Sequence, residues 1–166
     1  MSNSIQGVYQ GSFMPLYEIR VSPLSRAYTF SDSIYEVIPY YSGKPFCLDE
    51  HINRFKVGTD FLKIELDFSV VRKEIEQLGR SVENHTNAYV YYQISRGVDS
   101  VRSHIVKQEL VPERFGYAVE VTLSSDPIIA KLNQDNRWAH CNIKTTSLLG
   151  NVLNMNDAYS DGCNET

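Results

Sequence analysis

An α+β fold is predicted by three observations. Two consecutive stretches, Leu48 to about Ile64 and Asp67 to about Val82, carry apolar residues at helical spacing. Ala88 to Ser95 and Tyr117 to Thr122 are runs of β-branched and aromatic residues of strand length. The two kinds of element are mixed along the chain rather than alternating regularly.

Taken in order, Gly7 to Phe13 alternates small or apolar with polar residues around Gly11 and reads as an opening hairpin, with Tyr17 to Val21 as its neighbouring strand. Ser33 to Tyr41 is rich in Ile, Val and Tyr. The turn residues Ser42 to Pro45 follow it and lead into Phe46 to Leu48, a second hairpin. The first helix carries apolar residues at Ile52, Phe55, Val57, Phe61 and Leu62 and opens with Asp49 and Glu50, where a helix dipole favours carboxylates. The second spaces Val70, Val71, Ile75 and Leu78, with Asp67 or Ser69 as its cap. After Pro127 the composition turns polar through Asn133 to Asn136, which suits a linker. Ser147 to Gly162 reads as a last helix closed by Gly162.

At 166 residues the chain is long enough for one sizeable core, or for one domain and part of another. With 42% hydrophobic and 22% charged residues it has the composition of a folded protein, and its 11 Tyr and 7 Phe need burial or a partner surface. A net charge of -4 supplies no basic face for phosphate backbones, so nucleic acid is not expected as a partner. The three cysteines, Cys47, Cys141 and Cys163, form no CxxC pair and leave an odd thiol, which points to a reducing, cytoplasmic compartment. The opening residues have no basic-then-apolar leader pattern, and no run approaches the ~18 apolar residues that span a bilayer. No membrane association and no metal site are expected.

On spacing alone the chemically interesting residues have ordinary readings. Lys144 is a surface lysine. Glu50 and Arg54, four apart on a helix, form an exposed ion pair. His51 is a structural hydrogen-bonding histidine. Tyr35 is either a core tyrosine or a phenol that donates to a carboxylate from an apolar ring. Arg102 and His104, two apart in an extended loop, face the same side and can converge on one anion.

Four blocks in fixed order change the weight of these residues: Phe30 to Ile38, Leu48 to Phe55, Tyr91 to Gly97 with Arg102-Ser103-His104, and Arg137 to Leu153. Together they resemble the fold-type IV, or class IV, pyridoxal-phosphate aminotransferases, and within them the D-amino-acid group. The resemblance runs from Gly7 to Cys163. It implies that Lys144 is the Schiff-base lysine and the acid–base catalyst, and that Arg54 grips the cofactor phosphate with its planar fork. It also implies that Arg102 and His104, with Tyr35 as third donor and Tyr91 as a pocket wall, bind the substrate carboxylate. The first block carries Ser31 and Ser33 where the family usually has glycines, and the last carries Asn142 where an Asp is common.

The family fold assigns residues 1–120 to an N-terminal α+β domain and 121–166 to a linker and the incomplete start of a larger C-terminal pyridoxal-phosphate-binding domain. Family members continue well beyond a position equivalent to Thr166, so the chain is expected to be C-terminally truncated. The implied reaction is transfer of the amino group of a D-amino acid, such as D-alanine, to a 2-oxo acid by a homodimeric enzyme. Three alternatives stand beside it: a branched-chain aminotransferase, an aminodeoxychorismate lyase, and a non-catalytic, dimer-forming fragment.

Overall fold

The structure, a computed structural model, describes residues 5–82, 86–106 and 109–166; the opening residues 1–4, read above for a leader, lie outside them. The described residues form a six-stranded antiparallel sheet in the order β2-β1-β6-β5-β3-β4. Its strands are β1 (Gln6–Tyr9), β2 (Ser12–Pro15), β3 (Ser33–Tyr41), β4 (Lys44–Pro45), β5 (Asn87–Ser95) and β6 (Glu113–Val121). The helices are α1 (Arg26–Phe30), α2 (Leu48–Leu62), α3 (Phe68–Gly79) and α4 (Leu149–Ser160). This is the α+β class the sequence predicts, with α2 and α3 inserted between the hairpin β3–β4 and the central strand β5.

Alternation along β3 and β5 separates two faces. Ile34, Ile38 and Tyr40 of β3, with Ala88, Val90, Tyr92 and Ile94 of β5, are buried and form one core with Ile52 and Phe55 of α2 and Val71, Ile75 and Leu78 of α3. The other face presents half-buried rings: Tyr35, Tyr91 and Tyr117 stack in a row, with centroid spacings of 5.6 and 5.2 Å. Helix α3 starts where Asp67 accepts a hydrogen bond from the Ser69 amide at 2.8 Å, so Asp67 is the cap of the two candidates. It ends pressed on the sheet: a Cβ at Gly79 would lie 2.2 Å from the Tyr40 ring. Only glycine allows that approach.

Three local readings change. Tyr17 to Val21 is not a strand; Leu16–Glu18 forms a 3-10 turn, and the chain leaves the sheet there. The second hairpin turns at Ser42-Gly43 rather than over Ser42 to Pro45, because Lys44 and Pro45 already pair with Tyr41 and Tyr40. Helix α1, five residues long, carries no periodic signal that sequence could offer; Ser31 closes it at φ 53. The last helix spans Leu149–Ser160, and Gly162 beyond it has φ 78, the backbone a glycine terminator supplies. No helix of the described residues is long and apolar enough to cross a membrane.

Candidate active site

Lys144 is positioned by an extra strand-like pairing. The first half of β3 has β5 on one edge, while β4 covers only Tyr40 and Tyr41 on the other, leaving backbone groups at Ser33 and Tyr35 unpaired. The chain around Lys144 fills that gap. The Tyr35 amide donates to the Lys144 carbonyl at 3.0 Å, the Thr146 amide donates to the Ser33 carbonyl at 3.1 Å, and Ile34 stands opposite Thr145 in an antiparallel bridge. The hydroxyls of Ser33 and Thr146 meet at 2.6 Å beside it. Ile143 and Thr145 are both buried, at 7% and 5% exposure, so alternation turns Lys144 to the ring-lined face. Its Nζ lies 4.2 Å from the centroid of the Tyr35 ring, a cation–π contact.

Lys144 lines a cavity of about 280 Å³ together with Tyr35, Arg54, Arg137, Trp138, Asn142 and Ser147. Arg54 reaches it from α2, and its partner is not Glu50. The Arg54 guanidinium donates from Nε to Glu36 Oε1 at 2.5 Å and from Nη2 to Oε2 at 2.5 Å. Glu36 occupies a core-facing position of β3 and is 1% exposed, and the second of its oxygens also meets His51 Nδ1 at 2.7 Å. A buried carboxylate demands a paired cation, whereas an exposed pair one helical turn away contributes a few tenths of a kcal/mol, so Glu36 captures the arginine. The Glu36 hydrogen bonds raise the Arg54 pKa further above its ordinary value. This fork fixes the side chain with Nη1 left without a partner among the described residues. His51 is thus a structural hydrogen-bonding histidine.

Tyr35 and Tyr91 stand side by side on the ring-lined face, and the Tyr91 hydroxyl donates to Gln93 Oε1 at 2.7 Å. Burial pushes the Tyr91 pKa up, which keeps it a neutral donor. Arg102 and His104 do not line the Lys144 cavity. They gather instead around Phe30: the Arg102 guanidinium carbon lies 4.7 Å, and the His104 ring centroid 5.2 Å, from the Phe30 centroid. Within one chain the structure therefore makes two groups, Lys144–Arg54–Tyr35 in a cavity and Arg102–His104 on Phe30. Among the described residues no cluster of three or more His, Cys, Asp or Glu is placed to hold a metal ion.

Several contributing residues were not singled out from sequence. Glu36 is the main one, and its signal was available: a carboxylate in the inward register of a strand between Ile34 and Ile38 must have a cationic partner. Asn151 lines the cavity and carries no pattern that would have marked it.

A family model described as "Amino-transferase class IV" matches residues 33–166. The D-alanine aminotransferase of Listeria monocytogenes serotype 1/2a (strain 10403S) is 34% identical over 149 residues, which cover 84% of this chain and 51% of that protein. The chain thus spans about half the length of the curated relatives it matches. Among solved structures, a branched-chain aminotransferase from Thermoproteus uzoniensis with norvaline superposes with a TM-score of 0.80 at 15% identity, over 97% of this chain and 58% of that one. A hypothetical aminotransferase from Mycobacterium tuberculosis in its PLP-bound form superposes with a TM-score of 0.75 at 15% identity, over 96% and 60%. At such identities these two structures establish the shared fold.

Proposed function

The chain belongs to the class IV aminotransferases, and on that footing we propose that it forms part of a pyridoxal-phosphate-dependent transaminase that moves an amino group from a D-amino acid, such as D-alanine, to a 2-oxo acid. The observation that carries this reading is the shared cavity of Lys144 and Arg54: a primary amine and a guanidinium open to the same space, with an aromatic wall from Tyr35. That donor set suits a phosphorylated aromatic aldehyde, because the guanidinium pairs with phosphate oxygens and the amine condenses with the carbonyl. When bound, pyridoxal phosphate supplies the carbonyl that exchanges for the amino group and a ring that accepts electron density.

The protein's part is placement and proton transfer. Glu36 holds Arg54 through Nε and Nη2, so Nη1 is the donor left for a phosphate. Lys144, held by the backbone pairing to β3, would take the proton from the substrate α-carbon as a free amine and, once protonated, deliver it to the former aldehyde carbon of the cofactor, C4′. Tyr35 walls the cavity and donates from its hydroxyl. Arg102 and His104 bind the substrate carboxylate. They lie outside the Lys144 cavity of their own chain, and this supports a homodimer in which one copy's pair completes the other's site. The D-amino-acid reading over a branched-chain one is supported by the Arg102-x-His104 pair and by the relatives' identity. In this reading residues 1–120 are the N-terminal domain, 121–166 begin the cofactor-binding domain, and the enzyme works in the cytoplasm.

Titration with pyridoxal phosphate, borohydride reduction and mass-spectrometric mapping test the cofactor assignment. Label confined to Lys144, and lost in Lys144→Ala, is the expected result. Label scattered over surface lysines in a chain of full length defeats it. An assay of that full-length enzyme with paired D- and L-amino acids tests the substrate class, and preference for L-substrates points to the branched-chain reading.

A further inference from the structure

Behind the exposed Arg102–His104 pair lies a group of charges, buried at Arg26 and half-buried at Asp32, Arg96 and Asp99, that the proposed chemistry leaves unused. Arg26, 4% exposed, donates from Nε to Asp32 Oδ2 at 2.8 Å, and from Nη1 to the Ser103 carbonyl at 2.7 Å and Asp99 Oδ2 at 3.4 Å. Arg96 pairs with the same Asp32, Nε to Oδ2 at 2.7 Å and Nη2 to Oδ1 at 3.0 Å, and also donates to the Leu62 carbonyl at the end of α2 at 2.8 Å. Two backbone bonds, from the Arg26 amide to the Gly97 carbonyl at 2.9 Å and from the Asp99 amide to the Leu24 carbonyl at 3.2 Å, tie the start of the loop to the residues around α1.

The pattern has a direction. Ser103 is the residue between Arg102 and His104, so the Arg26 bond fixes the backbone at the middle of the pair. The Arg26 guanidinium carbon also lies 4.7 Å from the Phe30 centroid, on the same ring that receives Arg102 at 4.7 Å and His104 at 5.2 Å. Two arginines and two aspartates make this group formally neutral. Arg102, by contrast, is exposed and has no acidic partner among the described residues. The cluster therefore leaves the charge of Arg102 uncompensated at the surface, where an anion can meet it.

We propose that Arg26 is a positioning residue for substrate-carboxylate binding: clamped by Asp32, it sets the Arg102–His104 loop from inside the domain through the Ser103 carbonyl and the Phe30 ring. This rests on the assignment of Arg102 and His104 to the substrate carboxylate. A guanidinium is required because three separate acceptors in different directions share it; a lysine ammonium on a flexible stem reaches Asp32 or Ser103 but does not hold both with the fork geometry. The clamp acts on substrate binding, and Lys144 and Arg54 lie outside it, so it predicts a change in KM with kcat preserved.

The test uses the full-length holoenzyme with Arg26→Lys, Arg102→Ala, the double variant, and Phe30→Leu, which removes the shared ring while leaving the ion pairs in place. Propionate, a carboxylate without an amino group, serves as competitive inhibitor. The expected result for Arg26→Lys is a rise of about tenfold in both KM for the D-amino acid and Ki for propionate, kcat within about twofold, and faster amide exchange confined to residues 98–106. Phe30→Leu shifts KM and Ki in the same direction, and the double variant is no worse than Arg102→Ala alone. If Arg102→Ala raises KM and Ki while Arg26→Lys and Phe30→Leu do not, or if the two effects multiply in the double variant, the clamp is overturned and the carboxylate assignment stands. If Arg102→Ala changes neither constant, the assignment itself fails and the clamp with it.

Discussion

The sheet with α2 and α3 and the stretch from residue 122 onward solve the burial problem in opposite ways. The first encloses its apolar residues between helices and strands and pairs even its buried charges: Glu36 with Arg54 and His51, and Glu74 with Arg114 and the Tyr92 hydroxyl. The second buries only Ile143, Thr145 and Ala158 and leaves Leu123, Ile128, Ile129, Leu132, Leu149, Val152 and Leu153 exposed. Yet Lys144 belongs to this second region and owes its place to a few backbone bonds with β3. A candidate site residue can thus be held in place by a region that has little core of its own, provided the stable region offers it an unpaired strand edge.

If that contrast is right, the largest stability loss among point changes comes from the helix–sheet core. Phe55, 1% exposed and edge-on to Tyr92, should cost about 3–5 kcal/mol as Phe55→Ala, measured by urea unfolding. A much smaller loss would mean that the first region is no better packed than the second. Asp32→Asn, which strands two arginines, should cost about 3 kcal/mol at neutral pH. Here the acid dependence sharpens the comparison. Burial pushes the Asp32 carboxyl up, but hydrogen bonds from Arg96 and Arg26 outweigh it and the net pKa lies below the ordinary 3.8. A carboxyl depressed on folding adds stability above its unfolded pKa and loses it as pH falls through the folded one. The difference between wild type and Asp32→Asn should therefore be constant at neutral pH and shrink below pH 3.8; a difference that grows in acid would contradict the pairing.

Gly79→Ala places a methyl against Tyr40 and should cost about 1–3 kcal/mol, with the Tyr40 ring displaced in the spectrum of the variant. At the other extreme, Leu132 is 97% exposed, and Leu132→Ser should change stability by less than about 0.5 kcal/mol. A loss of several kcal/mol there would erase the distinction between the two regions.

The same contrast governs what was legible. Helices α2 and α3 and strand β5 combine a regular period with a single buried face, so apolar spacing alone locates them. Asp67 was readable as a cap because the bond it makes is local. Tyr17 to Val21 has strand composition, but a strand exists only where a neighbour supplies hydrogen bonds, and pairing is not written in any one segment. Arg54 shows this within the site: local spacing offers Glu50, while the partner that wins, Glu36, is eighteen positions away on β3. Arg102 and His104 were read as two donors on one side of a loop. Their meeting point, Phe30, lies far off in sequence and only the fold brings it there.

Trp138 is the sole tryptophan of the chain, 42% exposed, in the wall of the Lys144 cavity and 5.1 Å from the His140 ring. Its emission is therefore a reporter confined to one spot, although eleven tyrosines surround it elsewhere in the molecule. A chromophore that absorbs in the near ultraviolet and enters the cavity must quench that emission by energy transfer. Filling of the cavity can then be followed optically, without adding a label.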